Sequence, residues 1–155
     1  MKVSDMHTDY GKGIKRAANL MARSMDSYAA RFGLTGRQLS IIDFLSTEGS
    51  HSQHDIEEEF DIRRSTATAA LQRMEESGLV TTRRADHDGR QKVVTMTAKA
   101  RGLGKAASDY IKAQDQAMED RFSSKELDTF NQVLSYFIGL NSESDESQEV
   151  EGGHD

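Results

Sequence analysis

The sequence predicts a mainly α-helical protein with one small β-hairpin wing, a winged helix-turn-helix core set between longer flanking helices. Three observations carry that expectation. Apolar residues recur at helical spacing through most of the chain; the pattern changes to β-branched runs on either side of Asp88-Gly89; and two short helical segments with a tight turn between them precede that hairpin.

The first helix is expected over about residues 10–31. Ile14, Ala18, Met21, Met25, Tyr28 and Phe32 step by four, three, four, three and four, which places them along one helical face. Gly33 follows, where a helix end favours a residue tolerant of positive φ. Thr35 and Gln38 make a T-x-x-Q capping box for the next helix, whose inward residues are Leu39, Ile42 and Leu45 and which Glu48-Gly49 ends. Ser52 and Asp55 begin a short helix with Ile56 and Phe60 inward and Glu57, Glu58 and Glu59 outward. Asp61-Ile62 is the turn. The helix after it starts at Arg63 or Arg64, runs to Ser77, is anchored by Leu71 and Met74, and is stopped by Gly78.

Residues 79–84 and 92–97 are rich in β-branched side chains and flank ADHDGRQ, whose Asp88-Gly89 is a hairpin-turn signal. Helical spacing returns over about residues 98–121, with Leu103, Ala107, Tyr110 and Ala117 on one side. Ser123 with Glu126 caps a last helix whose face is Leu127, Phe130, Leu134 and Phe137. The flanking apolar seams exceed what the winged core needs and would lie exposed on a monomer, so they are expected to form an interface.

Charge divides the chain sharply. From Arg63 to Arg101 nine basic residues stand against four acidic ones, a local net of +5 in a chain whose net charge is −6. Clustered Lys and Arg, rather than overall charge, suit phosphate binding, so double-stranded DNA is the expected partner. The acid lies elsewhere. The last fourteen residues, 142–155, hold six Asp and Glu and no Lys or Arg, and without them the charge is zero. With Val150 as its one large aliphatic residue, that segment is expected to be a disordered acidic tail. It is read as a solvated end, with competition against DNA for the basic wing as the sharper alternative.

Other classes find little support. The chain has no Cys, which excludes disulfides and thiolate chemistry within it, and no Pro, so Gly and polar clusters must end its helices. Mean hydropathy is −0.70, no apolar run suits a membrane span, and the N-terminus lacks the apolar stretch of a signal peptide, so the expected location is the cytoplasm. The spacing His51-x-x-His54 opens a helix without an evident third ligand, and Gly102-Leu103-Gly104-Lys105 is only half of a phosphate loop. No enzyme activity, metal or cofactor is expected.

Order and spacing over residues 10–140 resemble the MarR family of winged helix-turn-helix transcription regulators. The resemblance rests on LT-x-x-Q at Leu34 to Gln38, the helix end TATAALQRMEESGLV, and the wing signature D-x-D-G-R from Asp86 to Arg90. Thr97-Ala98-Lys99 echoes the family's LT-x-K-G, with Met96 and Ala100 replacing its Leu and Gly. Arg63 and Arg64 stand where relatives often carry a small hydroxyl or a single basic residue; Asp61 serves as the N-cap if that helix starts earlier.

The resemblance implies a homodimeric regulator, by family habit a repressor, that places a recognition helix in the major groove of a pseudo-palindromic operator. The candidate DNA contacts on that helix are Arg63, Arg64, Ser65, Thr66, Thr68 and Arg73. On the wing they are Arg83, Arg84, Arg90 and Lys92, with Arg90 entering the minor groove and Asp88 and Gly89 shaping the turn. The implied organisation is an N-terminal dimerisation helix (1–33), the winged core (34–97), C-terminal helices completing the dimerisation region (98–141), and the tail (142–155). The dimerisation residues are Ile14, Ala18, Met21, Leu127, Phe130, Leu134 and Phe137. Relatives commonly release DNA on binding a small aromatic or phenolic effector. Met21, Met25, Tyr28 and Phe32 form a stripe that lines such a site or is plain core, and no effector residue is assigned. The alternative of another class is a winged protein–protein interaction module with the acidic tail as its docking segment.

Overall fold

A computed structural model describes residues 9–85 and 91–151. The chain forms two compact units, Met1–Asp109 and Tyr110–Asp155.

In the first unit, α1 (Tyr10–Ala29) starts on Asp9, whose carboxylate accepts from Lys12 N at 2.8 Å. Its end winds into a 3-10 turn, Ala30–Phe32, that closes on Gly33 at φ 73°. The end expected near Arg31 is therefore a tightened one, a common way to satisfy the last carbonyls. Helix α2 (Gly36–Leu45) carries the full capping box: Gln38 N donates to Thr35 Oγ1 at 3.2 Å, and Thr35 N to Gln38 Oε1 at 3.0 Å. Gly36 brings α2 close against α1. Its N–H donates to Asp26 Oδ1 at 2.7 Å, and a Cβ on it would lie 3.1 Å from Asp26 N and 3.2 Å from Met25 C.

Helix α3 (Gln53–Phe60) has the Ser52–Asp55 box, with Asp55 N to Ser52 Oγ at 3.1 Å and Ser52 N to Asp55 Oδ2 at 2.8 Å. It ends on Asp61 in the left-handed region, φ 48°, which turns the chain into α4 (Arg64–Glu76). Asp61 thus closes α3 and does not open α4. The N-cap of α4 is Arg63, with no side-chain capping bond. Gly78, at φ 73°, stops α4 as the pattern requires.

The sheet has three antiparallel strands in the order β1-β3-β2: β1 (His51–Ser52), β2 (Val80–Arg84) and β3 (Lys92–Met96). Val80 pairs with Met96 and Arg84 with Lys92 across the hairpin, while His51 and Ser52 pair with Val94 and Val93. Thr97 closes the hairpin base by donating from Oγ1 to Gly78 O at 2.7 Å and from N to Leu79 O at 3.0 Å. Ile41, Ile42, Ile56, Leu71, Met74, Leu79, Val80 and Val94 are buried together where α2, α3, α4 and the sheet converge. Burial of each large apolar side chain contributes about 1.5–3 kcal/mol, so this cluster dominates the stability of the winged core. Ala29, Leu39 and Ala107 form a smaller cluster with Met25, Tyr28 and Leu34 packed on it, and Tyr28 Oη donates to Ala106 O at 3.0 Å.

The helix expected to run from residue 98 is broken. Thr97 caps α5 (Ala98–Arg101), and α6 (Gly104–Arg121) begins after a turn at Gly102-Leu103. That turn directs Leu103 onto the main core, and Gly104 lies where a Cβ would be 3.0 Å from Ser46 Oγ. The first unit therefore includes α5 and the start of α6, to Asp109.

In the second unit, Ser123 and Glu126 form a reciprocal cap (Glu126 N to Ser123 Oγ 3.2 Å, Ser123 N to Glu126 Oε1 3.1 Å) ahead of α7 (Ser124–Glu151). Helix α7 continues through Glu151, into the segment that composition alone assigns to a disordered tail. The physical reason is local. Backbone bonds along the axis need no burial, Glu and Gln are adequate helix formers, and no Gly or Pro interrupts the chain between Asn141 and Gly152. Residues 152–155 lie outside the described residues.

Candidate nucleic-acid interface

The faces of α4 follow from its spacing, about 100° per residue. Ala67, Leu71 and Met74 point into the core, so the opposite, exposed side carries Ser65, Ala69 and Gln72. Arg64 flanks this stripe on one side. It shares a cleft of about 580 Å³ with Ser52, Gln53, His54 and Glu57 of the α3 region and with Arg84, Gln91 and Lys92 of the hairpin. Thr66 and Arg73 flank it on the other, in a cleft of about 420 Å³ that also takes in Thr35, Arg37 and Gln38 at the start of α2. The outward stripe of α4 thus lies between two cationic clefts.

Arg63, Arg64, Ser65, Arg73, Arg83, Arg84 and Lys92 are all exposed, and Arg64, Arg73, Arg84 and Lys92 form no ion pair with a described residue. Charge without a carboxylate partner is available to a polyanion. Thr66 is half-buried at the edge of the second cleft. Thr68 is placed differently: it is half-buried, and its Oγ1 accepts from Gln53 Nε2 at 2.8 Å, so it faces α3. Lys99, one of the nine basic residues of this stretch, donates to Ser77 O at 3.0 Å beyond the C-terminal end of α4. Glu75 Oε1 accepts from Thr82 N at 3.2 Å and Thr82 Oγ1 at 3.1 Å, fastening the hairpin to α4. Asp88, Gly89 and Arg90 lie outside the described residues.

The two spaced histidines have separate roles. His51 Nε2 lies 3.1 Å from Thr47 O and its ring packs on Phe44, whereas His54 Nε2 lies 3.0 Å from Glu58. No group of three metal-ligating side chains occurs among the described residues. Gly102 to Lys105 form a turn and the first residues of α6, and Lys105 pairs with Asp109 at 2.7 Å. Met25 and Tyr28 belong to the smaller core, with Met25 Sδ accepting from Ser40 Oγ at 3.1 Å, while Met21 and Phe32 are exposed.

Of the expected interface residues, Ile14 is half-buried and Ala18 and Met21 are exposed on α1. On α7, Leu127, Leu134 and Phe137 are half-buried and Phe130 is exposed, beside further exposed apolar side chains at Val133, Tyr136, Ile138 and Leu140. Sequence reasoning passed over Gln72 and Arg37. Gln72 was open to discovery, since it falls seven residues after Ser65 and so on the same outward face. Arg37 was not, because only the packing of α2 against α4 brings it to the interface.

Comparison with known proteins identifies the family. Residues 32–91 match the family model described as the MarR family. The transcription regulator MarR of Oenococcus oeni PSU-1 is 34% identical, covers 84% of this chain and 99% of its own, and superposes with a TM-score of 0.76. MepR of S. aureus in complex with DNA shares the fold at 19% identity, with a TM-score of 0.75 over 84% of this chain and 96% of that one. The uncharacterized HTH-type transcriptional regulator YwoH of Bacillus subtilis (strain 168) is 27% identical over 126 residues, 81% of this chain and 90% of that protein. The chain belongs to the MarR family of winged helix-turn-helix transcription regulators.

Proposed function

We propose that this regulator is a homodimeric repressor that binds a pseudo-palindromic operator and is released by a small-molecule effector, of phenolic type by family habit. The observation that carries the DNA-binding geometry is the outward stripe of α4 lying between two cationic clefts. A helix in the major groove presents its N-terminal turns to base edges and has a sugar–phosphate strand on either side. Ser65 and Gln72 then face base edges, and Gln suits adenine N6 and N7. Arg64, Arg84 and Lys92 take phosphates on the hairpin side, with Arg63, Thr66, Arg73 and Arg83 at the margins and Arg90 in the minor groove. Thr68 acts from behind, by holding α4 to α3.

Dimerisation is assigned to residues 1–33 and 98–141. The exposed apolar side chains of α7, Phe130 and Tyr136 among them, are a surface that pairing with a second copy covers. Two recognition helices about 34 Å apart then read two half-sites. Among the described residues no helix is long and apolar enough to cross a membrane.

The test is binding of the full chain to labelled duplex from its own upstream region, across a salt series, beside Arg64→Ala and Arg90→Ala. Saturation at two protomers per site, an affinity that falls steeply with salt, and weakening by both substitutions are expected. Binding no tighter than to random duplex at low salt overturns self-operator recognition. Salt-insensitive binding to every duplex returns the winged core to a protein–protein role.

A further inference from the structure

The cleft between α2 and α4 contains a residue that the DNA-binding reading did not anticipate. Arg37 is the second residue of α2, is exposed, and lines this cleft together with Arg73, Ser65 and Thr66. Neither arginine forms an ion pair with a described residue. The start of α2 itself offers little to an anion. The Gly36 N–H is taken by the Asp26 carboxylate at 2.7 Å, and the Gln38 N–H by Thr35 Oγ1 at 3.2 Å. Asp26 also puts a negative charge beside the helix start, so whatever the cleft binds is held by side chains.

The chemistry of the lining selects the ligand. Two guanidinium groups, the hydroxyls of Thr35, Ser65 and Thr66 and the Gln38 amide line this open cleft beside the small Ala69 and Ala70, and a pair of guanidinium groups suits phosphate oxygens. Position narrows it further. The cleft flanks the outward stripe of α4 on the side away from the hairpin, where the second strand of a major groove about 12 Å wide must pass.

We infer that Arg37 binds a backbone phosphate of the DNA strand on the α2 side of α4, across the recognition helix from the hairpin. The inference rests on the DNA-binding reading and extends it. The helix is then gripped through both strands, by Arg64, Arg84 and Lys92 on one and by Arg37 and Arg73 on the other. A phosphate contact positions without reading sequence, so Arg37 contributes affinity and register rather than base preference.

The full chain, Arg37→Ala and Arg37→Lys are compared on the upstream duplex and on a random-sequence duplex through a salt series, with thermal melts as the folding control. Arg37→Ala is expected to weaken both duplexes by the same factor and to flatten the slope of log affinity against log salt by about 1. Arg37→Lys, which keeps the charge, is expected to keep the slope. A wild-type slope in Arg37→Ala, whether or not affinity falls, overturns the inference and leaves the DNA-binding reading standing. Absence of salt-dependent binding to either duplex by the unsubstituted chain overturns that reading and the inference with it.

Discussion

Gln53 Nε2 donates to Thr68 Oγ1 at 2.8 Å, joining the first residue of α3 to the second turn of α4. Gln53 is 7% exposed and is the one buried polar side chain among the described residues. Its partner therefore matters more than an average hydrogen bond. Thr68→Val keeps the shape and strands the amide, and is expected to destabilise the fold by about 1–3 kcal/mol. Adding Gln53→Leu removes the stranded donor and is expected to recover part of the loss. Denaturant unfolding of the two single variants and the double variant measures the coupling directly; purely additive effects would show that the bond carries no weight.

Gly36→Ala is expected to destabilise although Ala is the better helix former. The new methyl would stand against backbone atoms, Asp26 N at 3.1 Å and Met25 C at 3.2 Å, which cannot rotate away. Overpacking of this kind costs about 1–3 kcal/mol, more than the roughly 1 kcal/mol gained in helix propensity. Trimming the carboxylate as well, in Gly36→Ala with Asp26→Ala, leaves the backbone clash in place and is not expected to restore the melting temperature. Full restoration would place the conflict in the side chain instead.

Asp61 holds the helix-turn-helix bend at φ 48°. The left-handed region costs an L-residue roughly 1–2 kcal/mol, less for Asp, and costs Gly almost nothing sterically. Asp61→Gly is expected to be neutral or stabilising by up to about 1 kcal/mol after the entropy of the unfolded chain is counted. Asp61→Val, bulky and β-branched, is expected to destabilise by at least about 1 kcal/mol. Thermal melts order the three proteins, and a Gly variant less stable than wild type would show that the carboxylate itself holds the turn.

A chain ended at Asn141 loses six acidic side chains and no basic ones, moving its net charge from −6 to zero. Association with random duplex at low salt is expected to quicken by on the order of tenfold. The gain is expected to vanish near physiological salt, where the screening length is about 8 Å. Stopped-flow association at two ionic strengths checks this, and an unchanged low-salt rate counts against electrostatic opposition by the acidic segment. Circular dichroism of the same variant is expected to show the loss of the helical residues of α7 beyond Asn141.

Local signals in the sequence were largely sufficient for the fold. The caps at Thr35, Ser52 and Ser123, the stops at Gly33 and Gly78, and the pairing of residues 80–84 with 92–96 are written in short spacings, because each is satisfied by neighbours in the chain. What escaped depends on partners distant in sequence. Two residues of β1 have no period of their own and become a strand only beside Val93 and Val94. The break at Gly102-Leu103 follows from where Leu103 must be buried. The continuation of α7 past Asn141 is the converse case, since composition speaks of burial and a helix needs only its own backbone bonds. At the candidate interface, the exposed positions of Arg64, Arg84 and Lys92 followed from charge and period. The turning of Thr68 toward Gln53 and the arrival of Arg37 beside Arg73 required three dimensions.

Ser52 caps α3 and, in the same position, pairs with Val93 in the strand that returns from the hairpin. The hairpin and the helix pair are therefore joined at Ser52 as well as through Glu75 and Thr82, and neither can be re-aimed without disturbing the other. The spacing between α4 and the strands β2 and β3 becomes a dimension of the protein, like the jaws of a caliper set once. On the proposed DNA-binding reading, a duplex whose grooves do not match that gauge has to supply the deformation itself, and the stiffness of the DNA then weighs on binding along with its bases.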